Sequence, residues 1–267
     1  MIRSLWTAAT GMQAQQLNID VISNNLANVN TSGFKYSRAS FQDLLYANLR
    51  PAGSETAQTG TQIPAGIQLG HGVKAVAVTK EFTQGSAIPT SEDPFNVDLF
   101  ISGQGFFQIE RPDGTIAYTR DGHFTINKDG DIVTADGYGL VGGKSVKQTG
   151  DLGVMIESSG VVKRIDSSNL QTQVSQIALA NFVNPSGLTA IGNNLFMESV
   201  ASGTPITGNP DEANGFGSLK QHVVEQSNVN MVSEMVDMIA TQRAYEIGTK
   251  SIQTADSMLG LVANLKR

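Results

Sequence analysis

Cysteine is absent from the 267-residue chain, and charged residues and long apolar runs are scarce. Without cysteine the chain forms no disulfide, holds no zinc through thiolates and has no thiol nucleophile. No run approaches the roughly 20 apolar residues that a membrane-spanning helix needs. The first residues carry a single Arg3 and then Thr, Gln and Asn, which do not form the apolar core of a secretory signal. Taken alone, these absences favour a cytoplasmic protein.

The low charge also narrows the choice of partners. Charged residues make up 16% of the chain, and the formal net charge is -6. This charge argues against nucleic acid as a partner, because nothing neutralises a run of phosphates, and against a basic membrane-binding face. The 28 glycines and the 40% hydrophobic content are typical of a turn-rich β protein.

No arrangement of side chains predicts catalysis. His71, His123 and His222 are far apart, and none lies in the H-x-x-x-H pattern of a metal site. Residues 137–142 match G-x-G-x-x-G, but no helical pattern follows them, and residues 127–131 lack the ligands of a calcium loop. We therefore expect no enzyme, no metal, no cofactor and no small-molecule substrate.

Both ends of the chain predict long helices with a heptad-like stripe of small and apolar residues. Before Lys35 only Arg3 and Asp20 are charged, and Thr31-Ser32-Gly33 is expected to end the first helix. The second helix is capped by Asn230 and runs to about Leu265, roughly 50 Å, without proline. We expect these stripes to form an assembly seam of Leu5, Ala9, Met12, Ile19, Leu26, Met231, Met235, Met238, Tyr245, Ile252 and Leu259.

The middle of the chain predicts short antiparallel strands. Asp-Gly pairs flanked by β-forming residues are strong hairpin signals, and four of them recur at nearly eight-residue spacing, at 113–114, 121–122, 129–130 and 136–137. Further strands are expected near residues 161–165, 174–183, 195–200 and 219–224. The predicted fold class is α+β: residues 1–35 and 226–267 form an inner coiled-coil domain, residues 36–72 an extended linker or long hairpin, and residues 73–225 an outer β domain.

Residues 23–35 (SNNLANVNTSGFK) and 234–246 (EMVDMIATQRAYE) resemble the N-terminal and C-terminal signatures of the bacterial flagellar rod and hook family. Residues 41–46, 103–107 and 118–122 resemble rod members of that family. The signature residues carried over by this match are Asn24, Asn25, Asn28, Gly33, Phe34, Gln242, Arg243, Ala244, Tyr245 and Glu246.

The resemblance implies a structural subunit that assembles helically into the distal part of the rod, a hollow rigid shaft that transmits torque from motor to hook. The implied partners are further copies of the chain, proximal rod subunits, the hook protein, the periplasmic and outer-membrane rings, and the flagellar type III export apparatus. The implied location is the basal body from periplasm to outer membrane, reached without a cleaved signal peptide, in place of the cytoplasm. Residues 46–63 resemble a rod-type stretch associated with a straight, stiff rod.

Two alternatives remain open at this point. In the first alternative, the chain is another axial flagellar protein, such as the second long rod subunit or a hook-type subunit. From a different class, it is a secreted β-domain adhesin without enzymatic activity.

We expect the terminal helices to be largely disordered in the isolated subunit while the β structure is ordered. Neither helix buries its apolar face alone, and most of the stability of a helix in a protein comes from packing of that face. Hydrogen exchange on the monomer tests this expectation. Strong protection over residues 5–28 would contradict it.

Overall fold

A computed structural model describes residues 2–53, 64–148, 150–210 and 215–265. Helix α1 (Ile2–Ala27) begins the chain and helix α2 (Met231–Leu265) ends it, with antiparallel strands between them. The predicted α+β class is confirmed. Asn230 caps α2 as predicted, because its Oδ1 accepts hydrogen bonds from the backbone N–H of Val232 at 3.0 Å and of Ser233 at 3.3 Å.

The residues group into two compact units. The helical unit comprises Met1–Ala27, Ser37–Thr79 and Asn230–Arg267, and the β unit comprises Asn28–Tyr36 and Lys80–Val229. The strands that begin in the helical unit are β1 (Ser37–Asp43), β2 (Tyr46–Arg50), β3 (Ile67–Gly70) and β4 (Val73–Lys80). They form two ribbons of two strands each. Strand β1 pairs with β4, and β2 pairs antiparallel with β3.

These unit boundaries differ from the predicted domain boundaries. Strand β4 pairs with β1, whereas the sequence pattern assigned residues 73–80 to the outer domain. Part of the predicted linker, residues 46–50 and 67–70, forms the β2–β3 ribbon. The rod-type stretch at 46–63 is described only as far as Gly53, and residues 54–63 lie outside the described residues. The division into inner and outer domains stays a prediction.

The remaining strands belong to the β unit. They are β5 (Ala87–Pro89), β6 (Leu99–Ser102), β7 (Phe106–Glu110), β8 (Ile116–Thr119), β9 (Thr125–Ile126), β10 (Ile132–Val133), β11 (Gly139–Leu140), β12 (Gly153–Ile156), β13 (Val161–Ile165), β14 (Gln171–Gln176), β15 (Leu179–Asn181), β16 (Thr189–Gly192), β17 (Leu195–Met197), β18 (Ile206–Gly208), β19 (Ser218–Gln221) and β20 (Val223–Glu225).

A nine-stranded sheet organises the β unit. Its main path runs β16-β17-β8-β7-β11-β10-β9, and β15 joins β7 and β18 beside that path. Strands β12, β13 and β14 form a second sheet, while β6 pairs with β19 and β5 with β20. The core contains fully buried apolar side chains from several of these strands, including Leu99, Phe107, Ile109, Ile132 and Leu179. Burial of this set supplies most of the driving force for folding of the unit.

Three of the four predicted Asp-Gly hairpins are confirmed. Gly114, Gly130 and Gly137 have positive φ and lie in the β7–β8, β9–β10 and β10–β11 connections. The predicted hairpin at Asp121-Gly122 is wrong, because β8 pairs with β7 and β17 and not with β9. Gly122 instead lies against β6: its carbonyl accepts a hydrogen bond from Leu99 N–H at 2.9 Å, and a Cβ atom would stand 1.6 Å from the Leu99 oxygen.

The segment Asn28–Tyr36, which follows α1, is held within the β unit by its backbone. Gly33 has φ of 69°, and its N–H donates to the Glu225 carbonyl at 2.8 Å. The Tyr36 N–H donates to Asn228 Oδ1 at 2.7 Å. A Cβ atom on Gly33 would lie 2.5 Å from the Asp121 nitrogen, so both the conformation and the space require glycine.

A buried charged cluster joins this segment to the rest of the β unit. It consists of Lys35, which belongs to the segment, together with Glu225 and Arg120. Lys35 Nζ donates to Glu225 Oε1 at 2.7 Å and to the Thr83 carbonyl at 2.8 Å. Arg120 Nη1 lies 3.6 Å from Glu225 Oε2, and its Nη2 donates to the Gly103 carbonyl at 2.7 Å. Burial lowers the pKa of Lys35 and of Arg120, and the Glu225 carboxylate opposes that shift in both.

Lys35→Met is expected to destabilise the β unit by about 3–5 kcal/mol, because it leaves Glu225 buried without its closest cation. The measurement is urea unfolding of the full chain followed by far-UV circular dichroism.

Lys144→Met is the matched control, because Lys144 pairs with Glu110 at 2.8 Å on the exposed surface of the same unit. An exposed pair contributes at most about 1 kcal/mol. If both variants lose the same stability, the buried cluster does not hold the segment after α1 in place.

Candidate assembly site

Within the helical unit, α1 and α2 pack as an antiparallel pair with a seven-residue period. Asn18 Nδ2 donates to Thr241 Oγ1 at 3.1 Å, and Asn25 Nδ2 donates to Glu234 Oε2 at 3.1 Å. From one bond to the next, α1 advances seven residues and α2 goes back seven. This is the period of a coiled coil, and it places the first turns of α1 opposite the last turns of α2.

The facing side chains on α2 are small or polar. Glu234, Thr241 and Ala255 are buried, and Gly248 continues the same seven-residue spacing. A Cβ atom on Gly248 would lie 2.8 Å from Met12 Cγ, so the two helices approach closely at this point. Because small residues occupy the contact, much of the larger apolar surface of α2 faces away from α1.

Asn25 connects α1, β1 and α2 through one buried amide. Its Oδ1 accepts from Ser37 N–H at 2.9 Å, and its Nδ2 donates to the Ser37 carbonyl at 2.8 Å as well as to Glu234. Burial raises the pKa of Glu234, while the hydrogen bond from Asn25 lowers it. Asn25 therefore satisfies two backbone groups and a buried carboxyl group at the same time.

The residues of the predicted assembly seam differ in burial between the two helices. On α1, all five are half-buried: Leu5, Ala9, Met12, Ile19 and Leu26. On α2, Met238, Ile252 and Leu259 are half-buried, whereas Met231, Met235 and Tyr245 are exposed. Their participation in contacts between subunits stays a prediction.

A stripe of exposed apolar residues marks the first half of α2. Val232, Val236 and Ile239 are 71%, 60% and 58% exposed and recur at spacings of four and three. Residues so spaced lie on one side of a helix, and we call this stripe the α2 ridge. Beside the ridge lie two more large apolar residues that are exposed, Met231 and Met235. A contiguous exposed apolar surface of this kind is typical of a contact with another protein.

The family-signature residues divide between the two units. In the helical unit, Asn25 is buried, Asn24 is exposed, and Arg243 Nη1 pairs with Glu246 Oε2 at 2.9 Å on the surface. In the β unit, Gly33 and Phe34 are buried and Asn28 is half-buried. The other α2 members are Gln242 and Tyr245, which are exposed, and Ala244, which is half-buried.

The sequence pattern missed the polar contacts between the helices. Apolar residues at 3-4 spacing do not indicate Asn18, Glu234 or Thr241, because these three side chains are polar. The signal that identifies them is the exact seven-residue spacing of Asn18 with Asn25 and of Glu234 with Thr241. The pairing of Lys35 with Glu225 left no such signal, because 190 residues separate them.

Three family models match the chain at positions that agree with this architecture. The model described as "Flagella basal body rod protein" matches residues 5–35, and the model described as "Flagellar basal body rod FlgEFG protein C-terminal" matches residues 220–265. Between them, the model described as "Flagellar hook protein FlgE/F/G D1 domain" matches residues 100–164.

Similar proteins cover the whole chain. The flagellar basal-body rod protein FlgG of Caulobacter vibrioides is 48% identical over 99% of this chain and 100% of its own length. The FlgG protein of Borreliella burgdorferi is 46% identical over the full length of both chains. The flagellar hook protein FlgE of Helicobacter mustelae is 43% identical over 53% of this chain and 31% of its own length. The chain therefore belongs to the flagellar basal-body rod protein family that these FlgG proteins represent.

Proposed function

We propose that the chain is a structural subunit of the distal part of the flagellar rod and polymerises helically into a hollow, rigid shaft that transmits torque to the hook. The observation that carries the polymerisation is the exposed apolar surface of α2. Burying the three aliphatic side chains of the α2 ridge against a neighbour would contribute at most about 1.5–3 kcal/mol for each, because about a third of each is already covered in the single chain. The full-length similarity to FlgG proteins supports the assignment to the rod.

The low charge of the helices supports the same proposal. On α1, Arg3 and Asp20 are the charged residues among 26. A helix whose outer face consists of amides, hydroxyls and apolar groups loses little when neighbouring subunits replace water, because few charges must be desolvated.

The proposed location is the basal body, from the periplasm to the outer membrane, after export through the flagellar type III apparatus without a cleaved signal peptide. The proposed partners are further copies of the chain, the proximal rod subunits, the hook protein and the surrounding rings. Among the described residues, no helix combines the length and the hydropathy that crossing a membrane requires. We propose that the subunit acts through assembly alone, without catalysis.

A polymer of the purified chain, viewed by electron microscopy, tests the proposed function. We expect straight hollow tubes, because a torque-transmitting shaft must resist bending. Curved, hook-like filaments would favour a hook-type subunit. A chain that remains monomeric at high concentration would contradict self-assembly.

Leu5→Asp and Met238→Asp are expected to abolish polymerisation and leave the β unit folded, since each places a charge in a half-buried seam position of the helices. Sedimentation measures the polymer, and circular dichroism measures the β unit.

Leu5→Met and Met238→Leu are the matched controls, because such volume-conserving apolar exchanges are tolerated. We expect both controls to polymerise. Polymerisation of the aspartate variants at the level of the unsubstituted chain would show that the seam plays no part in assembly.

A further inference from the structure

The carboxyl group of Glu234 is buried inside the helical unit, where α2 contacts the end of α1. The residue is 3% exposed. Its Oε2 accepts a hydrogen bond from Asn25 Nδ2 at 3.1 Å, and among the residues that the structure describes it forms no ion pair. A buried carboxylate whose partner is a neutral amide is costly, and taking up a proton removes that cost.

The Asn25 amide keeps its contact with Glu234 whether or not the carboxyl group is protonated. Asn25 Oδ1 accepts from Ser37 N–H at 2.9 Å, and Nδ2 donates to the Ser37 carbonyl at 2.8 Å, so the backbone of β1 fixes both ends of the amide. The same nitrogen also donates to Glu234. The carbonyl oxygen of a neutral carboxyl group still accepts such a bond. Protonation therefore removes a buried charge without breaking the contact.

The surroundings of Glu234 contain no cation that would hold it ionised. From α1 and β1 it meets Asn25 and the Ser37 backbone behind that amide, both neutral. Burial raises the pKa of Glu234 above its ordinary value of 4.5, the hydrogen bond from Asn25 lowers it, and the acidic Asp237 on α2 raises it. The dipole of α2 favours the carboxylate at this first-turn position, but the net shift is upward.

We propose that Glu234 makes the pairing of the two terminal helices sensitive to pH: when α1 packs on α2, the helical unit takes up a proton at this carboxyl group. A fall in pH then favours the helix pair, and a rise in pH weakens it.

The sign and the size of the effect follow from proton linkage. A carboxyl group whose pKa rises on folding contributes its full stability below the unfolded-state value, near 4.5, and loses that contribution as the pH rises through the higher folded-state value. A single proton changes the pairing equilibrium by at most about tenfold per pH unit. Because the proposed function places subunit contacts on these helices, polymerisation is expected to follow the same direction, and this consequence rests on the proposed function.

Far-UV circular dichroism of the full-length monomer, recorded between about pH 7.5 and pH 4.5, tests the proposal. We expect helix content to rise as the pH falls. Glu234→Gln keeps the size of the side chain and its acceptor for Asn25 but cannot titrate, so we expect it to hold the acidic helix content at both ends of the range. Constant helix content in the unsubstituted chain, or a pH dependence that persists in Glu234→Gln, overturns the proposal.

Glu246→Gln is the matched control, because Glu246 is exposed on the same helix and pairs with Arg243 at 2.9 Å. We expect this variant to keep the pH dependence of the unsubstituted chain. Asp237→Asn is expected to move the midpoint of the change to lower pH, a readout that a merely structural role of Glu234 would not move. Loss of the pH dependence in Glu246→Gln, or an upward movement of the midpoint in Asp237→Asn, contradicts the assignment to Glu234.

Sedimentation of the same samples separates this proposal from the proposed function. Polymer that forms equally across the pH range, with constant helix content, overturns the role of Glu234 and leaves the proposed function standing. Helix content that follows pH through Glu234, in a chain that never polymerises, supports the role of Glu234 and contradicts the rod-forming function.

Discussion

The buried side chains that α2 contributes to its contact with α1 are small or polar, and the assembly properties of the chain follow from this constraint. Gly248 and Thr241 let α2 approach α1, and Asn25 joins the pair to β1 through its buried amide. A helix pair that used its largest apolar residues internally would be more stable alone. Here Val232, Val236 and Ile239 remain outside, where contact with a second molecule removes them from water.

The β unit depends on a different kind of interaction. The buried Lys35–Glu225 pair, with Arg120 beside it, carries a desolvation penalty that only good geometry offsets. Glu225 meets that requirement at one oxygen: its Oε1 accepts from Lys35 Nζ at 2.7 Å and from the Gly85 N–H at 2.8 Å, whereas its Oε2 is buried without a hydrogen bond, 3.6 Å from Arg120 Nη1. Removing one partner would leave a buried charge unpaired. The resulting loss of stability would exceed the difference in stability between this cluster and apolar residues that replaced all of its members. The pair fixes the backbone of Asn28–Tyr36, the segment that immediately follows α1.

Periodic features were predictable from the sequence. Asn230 as the helix cap, the extent of α2 and three Asp-Gly hairpins follow from local rules about side-chain spacing and backbone conformation. The hairpin at Asp121-Gly122 was not predictable, because Gly122 serves a close approach to Leu99, which is remote in sequence. Apolar periodicity identified the stripes on both helices but not their partners. Polar residues at seven-residue spacing, Asn18 and Thr241 among them, lie on the sides of the two helices that face each other.

A map of the polymer at side-chain resolution would test the central claim most directly: that small and polar residues of α2 pair with α1 of the same chain, while the exposed large apolar residues of α2 join neighbouring chains. The account predicts Asn18 beside Thr241 of its own chain, with Val236 buried against another copy. A map in which α1 pairs with α2 of a different copy, or in which Val236 faces water, would contradict it.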